Sequence, residues 1–397
     1  MKTAAHVLLA ALSMGTAFSS DSWKKHSIDP AMPLQHLAGA DGVRLSDANG
    51  DGRLDIVTGW EEGKSIRIAI QPEPDKLRTP WETVTVGRVS SAEDAVFADL
   101  DGDGNLDVVS ATEGKSRTVY VHWAPEAKGD LMDENAWETH AFPEGEGSQW
   151  WMYTLPHDVD QDGDIDLLIG SKNAKGSLTL FENPGHDSAR DLSLWKTRRV
   201  ADAGWIMSIR LLETPKGKAV LYSDRKGKSS GVYLVPLLPN APWLGEPIRI
   251  GATGEEVMFL DVGHLDDDKN LDVVAAIRPD IVRVYYQPES PFQEWADTAD
   301  FDPISQETFG SVKAVRIGDL DGDRLPDIAI TCERADGKKK GAMWMNLHSE
   351  VTAISDAEGV KYDRIELLDL DRDGDLDMIT CEERAGLGVV WFENPQK

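Results

Sequence analysis

The stretch DLDGDGNLDVV, residues 99–109, sets four aspartates and two glycines into nine positions and then turns abruptly apolar. Carboxylates packed this densely repel one another unless a cation joins them. Oxygen donors at positions 1, 3, 5 and 9, a backbone carbonyl at 7 and glycine at 6 reproduce the ligand spacing of an EF-hand-like calcium loop. Here the donors are Asp99, Asp101, Asp103, the Asn105 carbonyl and Asp107, while Gly104 permits the sharp turn and Leu106 is expected in the core.

The same pattern recurs as DANGDGRLDIV from 47, DVDQDGDIDLL from 158, DLDGDRLPDIA from 319 and DLDRDGDLDMI from 369, with a weaker copy, HLDDDKNLDVV, from 264. Successive starts lie roughly 50–60 residues apart, except that the step from 158 to 264 spans two periods, so one unit has lost its loop and the repeat number is seven. The missing unit lies at 206–236, where ETPKGK replaces the aspartates. The corresponding donors are Asp47, Asn49, Asp51, the Arg53 carbonyl and Asp55 in the first unit. The third unit offers Asp158, Asp160, Asp162, Asp164 and Asp166, and the seventh Asp369, Asp371, Asp373, Asp375 and Asp377. The sixth has Asp319, Asp321, Asp323, the Leu325 carbonyl and Asp327 but puts Arg324 in the glycine position. The fifth keeps Asp266, Asp268 and Asp272 and replaces the first aspartate with His264. Four to six structural Ca²⁺ ions are therefore expected.

Each unit carries four short β-branched and aromatic runs, in the second DAVFADL, LDVVSAT, RTVYVHW and WETHAF, and no apolar period of 3.6 persists. Four strands per repeat predict an all-β, seven-bladed β-propeller. Inner runs such as DIVTG and DVVSA are continuously apolar, as expected where blades cover both faces of a sheet. WKKHSI at 23–28 is similar to the fourth strands WETVTV, WETHAF and WKTRRV, whereas the chain stops after a third strand, VVWFENPQK. The N-terminal strand is thus predicted to complete the last blade and remove the open edges.

Residues 1–20 read as a signal peptide, a lysine followed by a short apolar run and small residues, leaving 21–397 as the propeller, secreted or periplasmic and without membrane insertion. A formal charge of -29 argues against a nucleic-acid partner.

These DxDGDGxxD loops in units of about fifty residues resemble the FG-GAP or VCBS repeat propellers, a group that includes the head of integrin α-subunits. The strands LFENP at 180–184 and WFENP at 391–395 are similar to those of secreted bacterial members. The resemblance implies calcium in the hairpins between first and second strands, with ligands approaching the opposite face, and it implies no single function.

On that opposite face, the position six residues past the final loop aspartate, or its counterpart in the fourth unit, is charged in every blade: Glu61, Glu113, Lys172, Arg225, Arg278, Glu333 and Glu383. Blades six, seven, one and two present carboxylates and blades three, four and five cations, so an electrically divided mouth is expected. Trp60 and Trp205 lie on connections of the same side, with Trp150 and Trp151. Such a set suits a carbohydrate, tryptophans stacking on sugar and cations holding an anionic group, or a cell-surface protein partner. The plain alternative is solvated charges paired between blades. A lyase or dehydratase, with a glutamate base and a cation at a developing enolate, is the competing reading. No H-x-x-x-H spacing gathers the histidines and no G-x-S-x-G elbow occurs. Cys332 and Cys381 lie at near-equivalent strand ends but are predicted to face opposite sides, as buried thiols.

Overall fold

The computed structural model describes residues 22–32 and 38–395; the signal peptide read at 1–20 lies outside them. Seven four-stranded antiparallel sheets are arranged with the chain running from inner to outer strand in the first six. Blade 1 comprises Ala40–Ser46, Asp55–Trp60, Ser65–Ile70 and Glu82–Gly87. The other first strands are Ala92–Ala98, Trp150–His157, Ile206–Thr214, Val257–Gly263, Ser311–Gly318 and Tyr362–Leu368. In blade 7 the order is β1 (Lys24–Asp29), Gly388–Glu393, Asp377–Glu382, Tyr362–Leu368, so the N-terminal strand is the outer strand of the last blade, as its sequence predicts. No helix among the described residues is long and apolar enough to cross a membrane.

The core is divided into seven apolar clusters, one at each junction between neighbouring blades. Between blades 2 and 3, for example, Val96, Val109, Val121 and Trp123 meet Trp151, Leu167, Ile169 and Phe181. Between blades 7 and 1, Ile379, Cys381 and Trp391 meet Ile56, Trp60 and Trp81. This two-sided packing is why the second strands Asp55–Trp60, Asp107–Thr112 and Asp272–Ile277 are buried at every position. The tryptophan that opens an outer strand buries its ring and donates its indole N–H to a carbonyl upstream: Trp81 to Leu77, Trp137 to Leu131, Trp195 to Ala189 and Trp295 to Pro291, at 2.8–3.2 Å. Cys332 and Cys381 are both buried free thiols.

Two features of the blades set up the ends of the ring. Every first strand has a register shift against its second strand within its first few residues, at Asp41/Arg44, Ala92/Asp94, Trp151/Tyr153, Ile206/Ser208, Val257/Leu260, Val312/Ala314 and Tyr362/Ile365. Such bulges re-aim side chains where the ladder is interrupted. At the other end, all acidic loops join first to second strands, and the fourth blade has a tight hairpin there, Thr214 pairing with Gly217.

Candidate functional site

The aspartate loops occupy one end of the ring. Left-handed backbone at position 6 is supplied by Gly52, Gly104, Gly163 and Gly374, and in the sixth loop by Arg324 at φ 70°, which adopts the same turn without glycine. The last aspartate of the loop has a further role. The aspartate at position 9 uses both carboxylate oxygens on backbone N–H groups: Asp107 accepts from Leu100 and Ala124, Asp166 from Val159 and Asn183, Asp377 from Leu370 and Asn394, and Asp55 from Ala48 and Gln71, all at 2.8–3.1 Å. It therefore staples the loop to the end of the third strand, whether or not it also faces an ion.

The remaining donors differ between loops. Asp99 Oδ1 in the second, Asp158 and Asp164 Oδ1 in the third, and Asp369 Oδ1, Asp371 Oδ1 and both oxygens of Asp375 in the seventh are buried without a hydrogen-bond partner. Buried orphaned carboxylate oxygens are costly, and a hard cation satisfies them. Oxygens of Asp99, Asp101 and Asp107 lie within 4.8 Å of one another, as do those of Asp158, Asp160 and Asp166, and of Asp319, Asp321 and Asp327. These donor sets fit a calcium ion. The first loop is partly self-satisfied, since Arg53 pairs with Asp51 at 2.5 Å and Glu73 at 3.0 Å. In the fifth, His264 Nδ1 lies 2.8 Å from the Asn270 carbonyl, the oxygen that position 7 would otherwise offer to an ion. Leu325, whose carbonyl is the sixth loop's position-7 donor, exposes 55% of its surface to solvent.

At the opposite end the channel opens into a cavity of about 250 Å³. Five of the seven charged positions read from the sequence line it, Glu61, Glu113, Lys172, Arg225 and Glu333, together with Trp205. Arg278 and Glu383 stand behind them, Arg278 bridging Glu256 at 2.9 Å and Glu333 at 2.5 Å, and Glu383 paired with Lys361. Trp60 is not part of the mouth. It is fully buried between blades 7 and 1, because it is the last inward-facing residue of its strand and points into the junction. Trp151 is likewise core, whereas Trp150 is 36% exposed at the rim. Trp205 reaches the cavity, but Lys172, Arg225 and Lys226 lie 4.3–4.4 Å from its ring centroids, so cations occupy the surface expected to stack on sugar.

The mouth is also not split into an acidic and a basic half. Lys172 pairs with Glu113 across blades 3 and 2, Arg225 with Glu256 across blades 4 and 5 at 2.6 Å, and Arg278 with Glu333 across blades 5 and 6. Two further lysines, Lys313 and Lys361, sit among the carboxylates that were expected to be unaccompanied. The result is a circuit of ion pairs between blades, paired as in the plain alternative but largely buried instead of solvated, Lys172 and Arg278 exposing only 7% and 5% of their side chains.

The structure adds a layer that sequence reasoning missed. Asp41, Glu93, Lys313 and Asp363 line the cavity from the first strands of blades 1, 2, 6 and 7. Each lies six residues before the first loop aspartate, a mirror of the offset that found the outer ring, so a search in the other direction along the repeat would have revealed them. Burial drives the Asp41 carboxyl well above its ordinary pKa, with the charges of Asp363, Glu383 and Glu93 adding to it. Glu93 is raised well above its ordinary value by burial, against Lys172, with Glu113 and Glu61 pushing the same way. Asp363 goes down despite its burial, because Lys313, 2.6 Å away, a hydrogen bond from the Asp41 carboxyl and the charge of Lys361 all favour its ionised form.

Below this layer the waist is closed by Arg44, Arg210, Arg316 and Arg364 interleaved with Asp94, Asp261 and Glu366 around Tyr153. Burial raises the Tyr153 phenol and the three nearby guanidiniums of Arg210, Arg364 and Arg44 more than offset it, leaving the phenol below its usual value.

The class these features define is a seven-bladed propeller with a polar central mouth at the end remote from its acidic loops. Residues 40–110 match the FG-GAP-like repeat family model, and six variants of the same loop recur through the seven blades. No curated protein matches the sequence. Similar solved structures include two of BBS1N in complex with ARL6DN, one soaked with mercury (TM-score 0.55, 11% identity) and one with lead (TM-score 0.52, 12% identity). Each covers 94% of this chain and 98% of that chain, and the likeness is one of fold.

Proposed function

We propose that this protein is an exported, calcium-stabilised recognition propeller that engages a partner protein with the end of the ring opposite the aspartate loops. The observation that carries the reading is the mouth itself: charged side chains from blades 1, 2, 3, 4, 6 and 7 converge on one cavity, with the exposed Trp150 at its rim. The fold neighbours, whose title describes BBS1N in complex with ARL6DN, add support for a protein partner. A carbohydrate ligand has less support, because Trp60 is buried and Trp205 is already covered by cations.

Photo-crosslinking separates the two ends of the ring. A benzophenone side chain placed at Trp150 is expected to capture a defined protein partner, whereas one placed at the exposed Leu325 in the sixth loop is not. Crosslinking from Leu325 alone would overturn the reading. The double variant Lys172→Met, Arg225→Met is expected to weaken that partner at least about tenfold, the scale of a central charged contact. Binding on a glycan array, abolished by the same double variant, would instead transfer the mouth to carbohydrate.

Calcium in this proposal is held by the second, third and seventh loops, where orphaned carboxylates await a cation, and by the sixth. Its contribution is to stability. Each site that binds only the folded chain adds about 2.7 kcal/mol when free Ca²⁺ is 100 times its Kd. Chelation is therefore expected to lower the melting temperature, and re-addition of Ca²⁺ to restore it; melting that ignores both would remove calcium from the loops.

A further inference from the structure

We propose that the partner protein is held by a carboxylate seated at the blade-4 side of the mouth, against Lys226, Arg225 and the indole N–H of Trp205. The inference rests on the partner-protein reading above and names the chemistry by which that partner is recognised. Blade 4, residues 206–251, is the blade without an aspartate loop, and it carries seven lysines and arginines against three acids in a chain of formal charge -29. An acidic protein with one basic sector draws an acidic group to that sector and repels it elsewhere.

The corner is held in place by the backbone around it. Buried Asp224 accepts the Gly204 N–H at 3.0 Å, the Trp205 N–H at 2.8 Å and the Ser229 hydroxyl at 3.0 Å. The Trp205 carbonyl in turn accepts the Arg225 N–H at 2.8 Å, so the connection from blade 3 and the turn DRKGKSS at 224–230 are locked together. This fixes Lys172, Arg225 and Lys226 around one indole ring. Lys172 is spent on Glu113 and Arg225 on Glu256, as Lys313 is on Asp363 and Lys361 on Glu383. The exposed Lys226 has no carboxylate oxygen within 4.0 Å among the described residues. Burial and the charges of Arg225, Lys172 and Arg278 lower its amine from the ordinary lysine value, with Glu256 opposing them, so positive charge is locally in excess. An independent observation points to the same place. Trp205 lines the cavity, and its indole N–H is buried without an acceptor. A buried donor left unmatched is costly, and beside surplus positive charge the group that satisfies both is an anionic acceptor. A protein supplies that group as an aspartate or glutamate side chain or as its C-terminal carboxylate.

Hexaglutamate capped at both ends is the probe, with capped hexaglutamine as its uncharged control. In proton–nitrogen correlation spectra the Trp205 indole signal, assigned by its loss in Trp205→Phe, is expected to move with hexaglutamate and to stay with hexaglutamine. Lys226→Met, an exposed substitution that leaves the fold intact, is expected to weaken hexaglutamate at least about tenfold, the scale of a charged hydrogen bond. Lys128→Met, beside the first aspartate loop, should change it less than about twofold. If acetyl-hexaglycine, whose one carboxylate is its C-terminus, moves the signal in place of hexaglutamate, the site stands and takes a chain end. A signal that ignores both peptides, movement with inorganic phosphate alone, or equal affinity in Lys226→Met would overturn the carboxylate site. The partner reading fails separately: hexaglutamate bound at Trp205 with no protein crosslinked from Trp150 removes the partner and keeps the site. A captured partner whose affinity is the same in Lys226→Met removes the site and keeps the partner.

Discussion

Deleting residues 22–30 is expected to abolish cooperative unfolding. The deleted segment contains β1, which pairs along Gly388–Glu393 with His26 opposite Trp391 and Ser27 opposite Val390. It also ties blade 7 to blade 1: the Ile28 carbonyl accepts the Trp81 N–H at 2.9 Å, and the Asp29 carboxylate receives Arg67 Nε at 2.8 Å. Exposing the site of the wholly buried Ile28 costs about 1.5–3 kcal/mol. Leaving Arg67 without its buried partner Asp29 adds a cost of the same order or more, about 3–5 kcal/mol for a fully buried pair. The total approaches the whole net stability of an ordinary domain, about 5–15 kcal/mol. The deleted chain also carries an unpaired edge next to Trp391, a template for association. Size-exclusion chromatography should show it expanded or aggregated, and a synthetic peptide of residues 22–31 added in trans should recover part of the melting transition. A monomeric deletion protein that melts within a few degrees of the full chain would mean that the ring does not rely on this strand.

How far such details were legible in the sequence follows from which residues the repeat marks. The loops announce themselves through spacing that no other structure needs, so blade number, loop end and the outer ring of charges could be counted from them. The second strands were legible because they are uniformly apolar, and the closing strand because its Trp-Lys start matches other outer strands. The inner layer was not, for two physical reasons. First strands mix apolar and charged residues, as in ADGVRLS and YDRIELL, and the bulge near each start breaks the alternation that would assign a face. Ion pairing between blades is also invisible in a linear chain: Arg44 and Arg364 are 320 positions apart yet share Asp94. Trp60 shows the opposite failure, since adjacency to Glu61 placed it at the mouth while strand alternation turned its ring into the junction between blades.

The shared aspartate gives the second large expectation: Asp94→Ala should destabilise the protein by about 3–5 kcal/mol, the cost of leaving buried charge without its partner. Asp94 Oδ1 receives Arg44 Nε at 3.2 Å and Arg364 Nη1 at 3.3 Å, and Oδ2 receives Arg44 Nη2 at 2.9 Å and the Thr154 N–H at 2.8 Å. One carboxylate thus joins blades 1, 2, 3 and 7 at the waist. Without it, two buried guanidiniums remain near one Tyr153 ring, 4.2 and 4.4 Å from its centroid. Their mutual repulsion is already felt: burial and then the charge of Arg44 bring Arg364 down to about 10 even with Asp94 present. Chemical denaturation measures the loss, and a change below about 1 kcal/mol would show that the waist is wet enough to screen these charges. Adding Arg44→Met to the Asp94→Ala protein separates charge from cavity. If uncompensated charge dominates, the second substitution restores stability although it removes a large side chain; if the lost hydrogen bonds and volume dominate, the two substitutions add. Restoration is the expected result, because four arginines face three acids at this level of the channel and the removal of one arginine rebalances what the removal of Asp94 upset.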